Sequence, residues 1–306
     1  IMISPGVIEY RDVPDPDTLK EDEVLLRIRK IGICGSDVHV FHGKHPATSY
    51  PVVQGHEFSA TVEAAGKNVT GVKPGMKATA RPQLVCGVCG PCRRGQYNAC
   101  QKLRVQGFQA PGVAQDLFVV PEERLLVLPD TFTFEQGALV EPAAVGAHST
   151  NRLPDLRGKN VVVSGAGTVG NLVAQFAMAR GAGKVMISDI SDYRLDIARQ
   201  CGIEGTVNVS RIPFDEAAKS FFGDEGFQAG FEAAGVRESL DVLMKNVEKG
   251  GDIVILGVYS ENPVVKQKVA KLFIDIEVGL NIAYKIAWLQ DQGESSKVTS
   301  LASESK

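Results

Sequence analysis

The sequence predicts an α/β protein in two lobes, a mainly-β lobe over residues 1–130 followed by a doubly wound parallel sheet over residues 131–265. Three observations carry that expectation. Residues 1 to about 130 are short apolar stretches punctuated by Gly, Pro, Asp and Asn; from about 160, β-branched runs alternate with helical text; and the first of those runs, Val161 to Ser164, leads directly into a glycine turn. Residues 266–306 fit neither pattern and form an atypical C-terminal segment.

In chain order, Val24 to Lys30 alternates apolar and basic residues as a half-buried strand does, and residues 60–65, 115–120 and 125–128 read as further strands. Over 133–149, Ala, Leu and Val recur at helical spacing. After the strand Val161–Ser164, the residues Leu172, Val173, Phe176 and Ala177 mark a helix. A second strand over 185–188 ends at Asp189, residues 193–200 are helical, and strands follow at 206–208, 229–232 and 252–256, with helical text at 239–247. Alternating strand and helix implies parallel pairing through right-handed crossovers.

Composition narrows the function. A chain of 306 residues with 44% hydrophobic and 23% charged residues and a net charge of -3 describes an ordinary soluble protein long enough for two domains. No basic excess invites nucleic acid or an anionic membrane, and no run of 18 apolar residues can span a bilayer. No apolar signal segment precedes the first lobe and the cysteines cluster, so a reducing, cytoplasmic setting is expected. The chain opens at Ile1-Met2 in strand-like text, so a few residues are expected upstream.

Cys86, Cys89, Cys92 and Cys100 are separated by two, two and seven residues. Thiolates this close repel one another unless a cation holds them, and tetrahedral zinc suits a short loop that doubles back. Disulfides are disfavoured by the clustering. An iron-sulfur cluster is disfavoured because Cys100 comes late and is followed by Gln101. Arg93 and Arg94 lie inside the loop, where they could offset the charge of four thiolates or simply form a solvated face.

The run Gly165-Ala166-Gly167-Thr168-Val169-Gly170 sits between strand and helix, with Asp189 19 positions after its last glycine. In a Rossmann turn Gly165 permits the bend, Gly167 lets the backbone approach a pyrophosphate, and Gly170 allows close helix-strand packing. Asp189 would accept the adenosine ribose hydroxyls and repel a 2′-phosphate. NAD is therefore expected over NADP, with Arg194 nearby keeping NADP open.

Two further segments, Cys34-Gly35-Ser36-Asp37-Val38-His39 and Gly55-His56-Glu57, carry metal-ligand residue types that are ambiguous alone. Together with the cysteine run and the glycine turn they resemble the zinc-dependent medium-chain alcohol dehydrogenases, over residues 1 to about 260. The resemblance implies a GroES-like catalytic domain joined to a Rossmann domain, with one structural and one catalytic zinc and the catalytic metal between the domains. It assigns Cys34 and His56 as catalytic-zinc ligands and Glu57 as a ligand that binds directly or in exchange. Glu141, in Glu141-Pro142, stands where ethanol-type members place a second cysteine. A glutamate there is the form of sorbitol, other polyol, butanediol and threonine dehydrogenases.

On the same resemblance Ser36 takes the proton of the substrate hydroxyl, His39 carries it on, and Asp37 orients His56. The implied reaction is zinc- and NAD(H)-dependent oxidation of a secondary hydroxyl of a polyol or vicinal diol to a ketone by hydride transfer, in a dimer or tetramer. His42, His45 and His148 receive no role, and Cys201 reads as a buried small hydrophobe.

Ala60 stands where the family usually has glycine, a small departure. A larger one follows Val265. Ile274, Ile276, Val278 and Leu280 alternate like an edge strand, whereas Leu272, Ile276, Leu280, Ala283 and Ala287 follow helical spacing. The helical reading is favoured, and it resembles a segment of the C-terminal helical bundle of acyl-CoA dehydrogenases. A natural or artefactual fusion would account for such an end. A changed end would leave, as the alternative function, a catalytically impaired relic that still binds zinc and nucleotide.

Overall fold

The computed structural model describes residues 1–257 and Tyr259. The chain divides into two compact units, residues 1–234 with 238–257, and residues 235–237 with 258–306. Both expectations for the segment after residue 265, helix and edge strand, lie outside the described residues.

The first lobe contains β1 (Met2–Ser4), β2 (Val7–Ile8), β3 (Glu23–Gly32), α1 (Gly35–Phe41), β4 (Glu57–Ala65), β5 (Lys77–Ala80), β6 (Gln83–Leu84), α2 (Gly90–Arg93), β7 (Arg104–Val105), β8 (Leu117–Pro121) and β9 (Leu125–Val127). Helices α3 (Phe134–Ala138) and α4 (Val140–Thr150) lead to β10 (Val161–Ser164), α5 (Thr168–Ala179), β11 (Val185–Asp189), α6 (Asp192–Gln200), β12 (Gly205–Asn208), α7 (Phe214–Phe222), β13 (Phe227–Glu232), α8 (Arg237–Asn246) and β14 (Val247–Ile255).

Two five-stranded sheets organise these elements. The first runs β8-β3-β4-β5-β9, with every pairing antiparallel. Its alternating residues Val24, Leu26, Phe58, Ala60, Val62 and Val120 are sealed from water and form one core, as period-2 patterning requires. The second runs β12-β11-β10-β13-β14, all parallel. Val161, Val162 and Val163 are fully buried because helices cover both faces of such a sheet. Ala60 fills its place in the first core without exposure.

Three expectations need correction. The single helix over 133–149 is two, α3 and α4, meeting at Leu139. Pro142 explains the break: it lacks the N–H that a continuous helix would bond to residue 138, but it is harmless in the first turn of a new helix. Thr133 starts α3 with a capping box, accepting from the Gln136 amide at 3.2 Å while Gln136 Oε1 accepts from the Thr133 amide at 2.9 Å. The strand placed at 252–256 begins earlier, at Val247. Cys201 is exposed and not buried, because it caps the C-terminus of α6 after that helix's buried face has ended. Among the described residues no helix is long and apolar enough to cross a membrane.

Candidate active site

Strand pairing builds the first site. In the β3–β4 register Gly32 faces Glu57, so the chain leaving β3 at Cys34 arrives beside the residues that enter β4. Ligand atoms of Cys34, His56 and Glu57 all lie within 4.8 Å of one another, and both His56 and Glu57 are only 6% exposed. A Cβ on Gly32 would stand 2.3 Å from Glu57 Oε2, so that glycine makes the room the carboxylate occupies. Glu141, half-buried in the first turn of α4, falls outside the mutually close set. It is near enough for the charges on His56 and Glu57 to act on it.

Asp37 lies beneath this cluster. Its Oδ2 accepts the Cys34 amide at 2.9 Å, Gln54 donates to its backbone carbonyl at 3.0 Å, and its Oδ1 sits 3.6 Å from His56 Nδ1. The last two atoms are buried and make no hydrogen bond. Burial opposes a charge on His56, but Asp37 and Cys34 together outweigh it and raise the imidazole to about 10. Burial raises Glu57 and Glu141 as well. One thiol and three carboxyl groups crowd a single buried imidazole, a donor set that suits a divalent cation.

On α1, Ser36 is half-buried and His39 exposed, three residues apart and so on one helix face. Sequence reasoning missed the aromatic wall. Phe108 stacks on His45 with centroids 4.5 Å apart and tilts against His56 at 4.8 Å. No periodicity flags either residue, because the contact joins two irregular segments distant in sequence.

The cysteines of the second cluster also come together. Sγ separations are 3.3 Å for Cys89–Cys92, 3.6 Å for Cys86–Cys100 and 4.0 Å for Cys89–Cys100, and all six cysteines of the chain are free thiols. Four bonds of about 2.3 Å to tetrahedral zinc place sulfurs roughly 3.8 Å apart, so the loop already has the right dimensions. Amides of Gln101 and Cys92 hold the Cys89 thiol down to about 6, while burial and neighbouring thiols push Cys92 up to about 12. Without a cation, one thiol must therefore keep its proton when another has lost it. Arg93 and Arg94 are exposed.

At the parallel sheet, the turn after β10 carries Gly165 at φ +103, and a Cβ on Gly170 would fall 1.8 Å from the Gly165 carbonyl oxygen. Gly167 has nothing within 4 Å of its Cβ position, so open space faces the start of α5 beside Thr168 and Val169. Asp189, at the end of β11, accepts the Ala166 amide at 2.8 Å and the Ser191 amide at 2.9 Å, with Arg194 Nη1 at 3.6 Å.

Two clusters of metal-ligating side chains on a mainly-β lobe, joined to a parallel sheet with a dinucleotide turn, are the parts of a zinc-dependent oxidoreductase that uses a nicotinamide nucleotide. Comparison with known proteins agrees. Residues 20–130 match the alcohol dehydrogenase GroES-like domain and residues 168–284 match the zinc-binding dehydrogenase model. L-Threonine 3-dehydrogenase of Protochlamydia amoebophila is 34% identical over 258 residues, covering 83% of this chain and 75% of that protein. Galactitol-1-phosphate dehydrogenase from Escherichia coli superposes with a TM-score of 0.79 at 30% identity, covering 85% of this chain and 75% of that one. A Sinorhizobium meliloti 1021 protein solved with NADP bound has a TM-score of 0.77 at 32% identity, over 85% of this chain and 76% of that one.

The chain belongs to the zinc-dependent medium-chain alcohol dehydrogenase family, and it is an alcohol/polyol dehydrogenase by kinship. The second match runs to residue 284 and thus continues past Val265, where the sequence alone placed the departure from the family.

Proposed function

We propose that this chain is an NAD-dependent, zinc-requiring dehydrogenase that oxidises the secondary hydroxyl of a polyol, a vicinal diol or a comparable amino alcohol to a ketone. The observation that carries the reading is the carboxylate-rich cluster of Cys34, His56 and Glu57 with Glu141 beside it. A set with one thiolate and two carboxylates is harder than one with two thiolates, which favours substrates that offer a second oxygen or nitrogen next to the reacting hydroxyl. The relatives named for threonine and galactitol 1-phosphate are named for molecules of that kind. The functional division is residues 1–130 for catalysis and 131–265 for nucleotide.

Cys34, His56 and a carboxylate of Glu57 or Glu141 would hold zinc, which would supply Lewis acidity toward the substrate oxygen, while a bound nicotinamide would supply the hydride acceptor. The chain's own residues do the rest. Asp37 faces Nδ1 of His56 at 3.6 Å, where its charge favours that orientation of the ring and leaves the other nitrogen as the candidate ligand atom. Ser36 Oγ takes the hydroxyl proton, and His39, exposed one turn on, passes it to water. Asp189 presents its remaining lone pairs to the ribose hydroxyls and disfavours a 2′-phosphate. Cys86, Cys89, Cys92 and Cys100 would hold a structural zinc.

The test is the rise of NADH absorbance when zinc-loaded protein meets NAD and a panel of polyols, diols and threonine. Turnover on at least one is expected, with weaker turnover on simple mono-alcohols. No turnover on any member, alongside measured zinc and NAD binding, would sink the reading. The role of Glu141 is separable: Glu141→Cys should change the ratio of diol to mono-alcohol turnover, and an unchanged ratio refutes it.

A further inference from the structure

An open cavity lies along β8 of the first lobe, and none of its lining residues belongs to either metal cluster. It has a volume of about 370 Å³ and is walled by Pro16, Leu84, Ala110, Leu117 and Val119, with Arg124 at its polar end. That volume falls within the range of small-molecule sites. We propose that this cavity binds a small amphiphilic carboxylate, its apolar chain against β8 and its carboxylate on the guanidinium of Arg124.

Among the described residues Arg124 is a buried cation without a counter-charge beside it. Arg124 is 9% exposed, yet its partners are neutral: Nε and Nη2 donate to the Arg81 carbonyl at 3.0 and 2.7 Å, and Nη2 donates to Gln106 Oε1 at 2.6 Å. Nη1 has no hydrogen-bond partner among the described residues, and no carboxylate comes within ion-pair distance of the guanidinium. Buried arginines are ordinarily paired. The nearby charges are those of Arg81, which adds to the positive field, and Glu123, which offsets part of it. Gln106 is 1% exposed and its Nε2 also lacks an acceptor. Nη1 is thus the guanidinium nitrogen left uncommitted, and a carboxylate oxygen is the acceptor that would complete it and balance the charge.

The walls fit the other half of such a ligand. Among the described residues β8 is the outer strand of its sheet and pairs with β3 on one side only. The flanking bonds from Ile28 to Asp116 and from Glu122 to Asp22 fix the even-numbered residues toward β3. Leu117, Val119 and Pro121 therefore turn their backbone outward along the cavity, with Pro121 removing one donor from the exposed edge. An apolar chain would rest on the side chains of Leu117, Val119, Pro16 and Leu84 and leave the outward backbone groups of the edge to water.

The experiment titrates octanoate into the zinc-loaded full chain carrying labelled Leu and Val methyls. Saturable shifts at Leu84, Leu117 and Val119 are expected at submillimolar octanoate, with octanol at least about tenfold weaker. Reading those methyls separates this cavity from octanoate reaching the catalytic metal. Arg124→Gln should weaken octanoate by about tenfold and leave octanol unchanged. Should that variant fail to fold, Val119→Trp, which fills the cavity from an edge position, should abolish the shifts at Leu84 and Leu117 by itself. Equal response to octanol, persistence of the shifts in Val119→Trp, or saturation by an acidic peptide and not by octanoate would each overturn the proposal.

Discussion

Replacing Gly170 with alanine tests the geometry of the nucleotide turn directly. The new methyl would stand 1.8 Å from the Gly165 carbonyl oxygen and 2.9 Å from its carbon. Both atoms are backbone, so no side chain can swing aside, and turn and helix must part by more than about 1 Å. The turn continues β10, whose Val161, Val162 and Val163 are fully buried, and α5 is pinned by the equally buried Val173, Ala174 and Ala177. Moving either opens gaps in the core as well as relieving the clash, which places the change at the upper end of overpacking costs, about 3 kcal/mol. For a lobe of this size that lowers Tm by roughly 6–12 °C. Gly167→Ala is the control: its Cβ meets nothing within 4 Å and its φ of -66 is ordinary. Only the loss of a preferred N-cap residue, about 1 kcal/mol or less, bears on stability. Its NAD affinity should nevertheless fall by about tenfold or more, because the methyl occupies the space left for phosphate. Thermal unfolding of the zinc-loaded, nucleotide-free proteins and calorimetric NAD titration read the two effects. A Gly170→Ala protein that melts with the wild type, or a Gly167→Ala protein that binds NAD as well as the wild type, refutes the reasoning.

Three other outcomes follow from the site. His56 is raised to about 10 against an ordinary 6.5, so its stabilising charge is fully present below pH 6.5 and is lost as pH rises toward 10. Urea denaturation of the metal-free protein should show stability falling over that window, and Asp37→Asn should flatten the slope. Cys100→Ser should reduce zinc from two ions per chain to one, measured by elemental analysis, with the remaining ion still lost on Cys34→Ser; an unchanged stoichiometry contradicts the four-thiolate site. Asp189→Ala removes the acceptor for the ribose hydroxyls and two backbone amides, so NAD affinity should drop about tenfold while NADP loses less. A parallel loss for both nucleotides would show that Asp189 supports the turn without selecting the cofactor.

Where local chemistry and local structure coincide, the sequence is transparent. Gly165 to Gly170 announces itself because strand, turn and helix are contiguous, and Cys86 to Cys100 because all four ligands lie in one loop. The first metal cluster is harder to read. Cys34 and His56 meet only through antiparallel pairing of β3 with β4, which no single segment encodes, and they became interpretable through kinship. Gly32 shows the same limit, since its smallness matters only once Glu57 is placed opposite. Pro142 marks the break between α3 and α4, but the apolar spacing around it continues through both helices and masks the break. Cys201 was read from the residue type's usual burial; its position past the last buried turn of α6 decided otherwise. The wall of His45 and Phe108 carries no pattern, being made by two loops.

The placement of Glu141 has a consequence for how the two halves of the enzyme depend on each other. Cys34, His56 and Glu57 are brought together by the β3–β4 pair with help from Asp37 and Phe108, but Glu141 is held by a helix with other obligations. Gly146 of α4 lies against Leu172 and Phe176 of α5, and Arg180, at the end of α5, donates to the carbonyls of Thr150 and Leu153. The Glu141 carboxylate is thus tied through its helix to α5. A displacement of α5 would therefore reach Glu141 through these contacts. The affinity of the cluster for its ion then becomes a gauge of how firmly the two sheets are docked, readable with no substrate present.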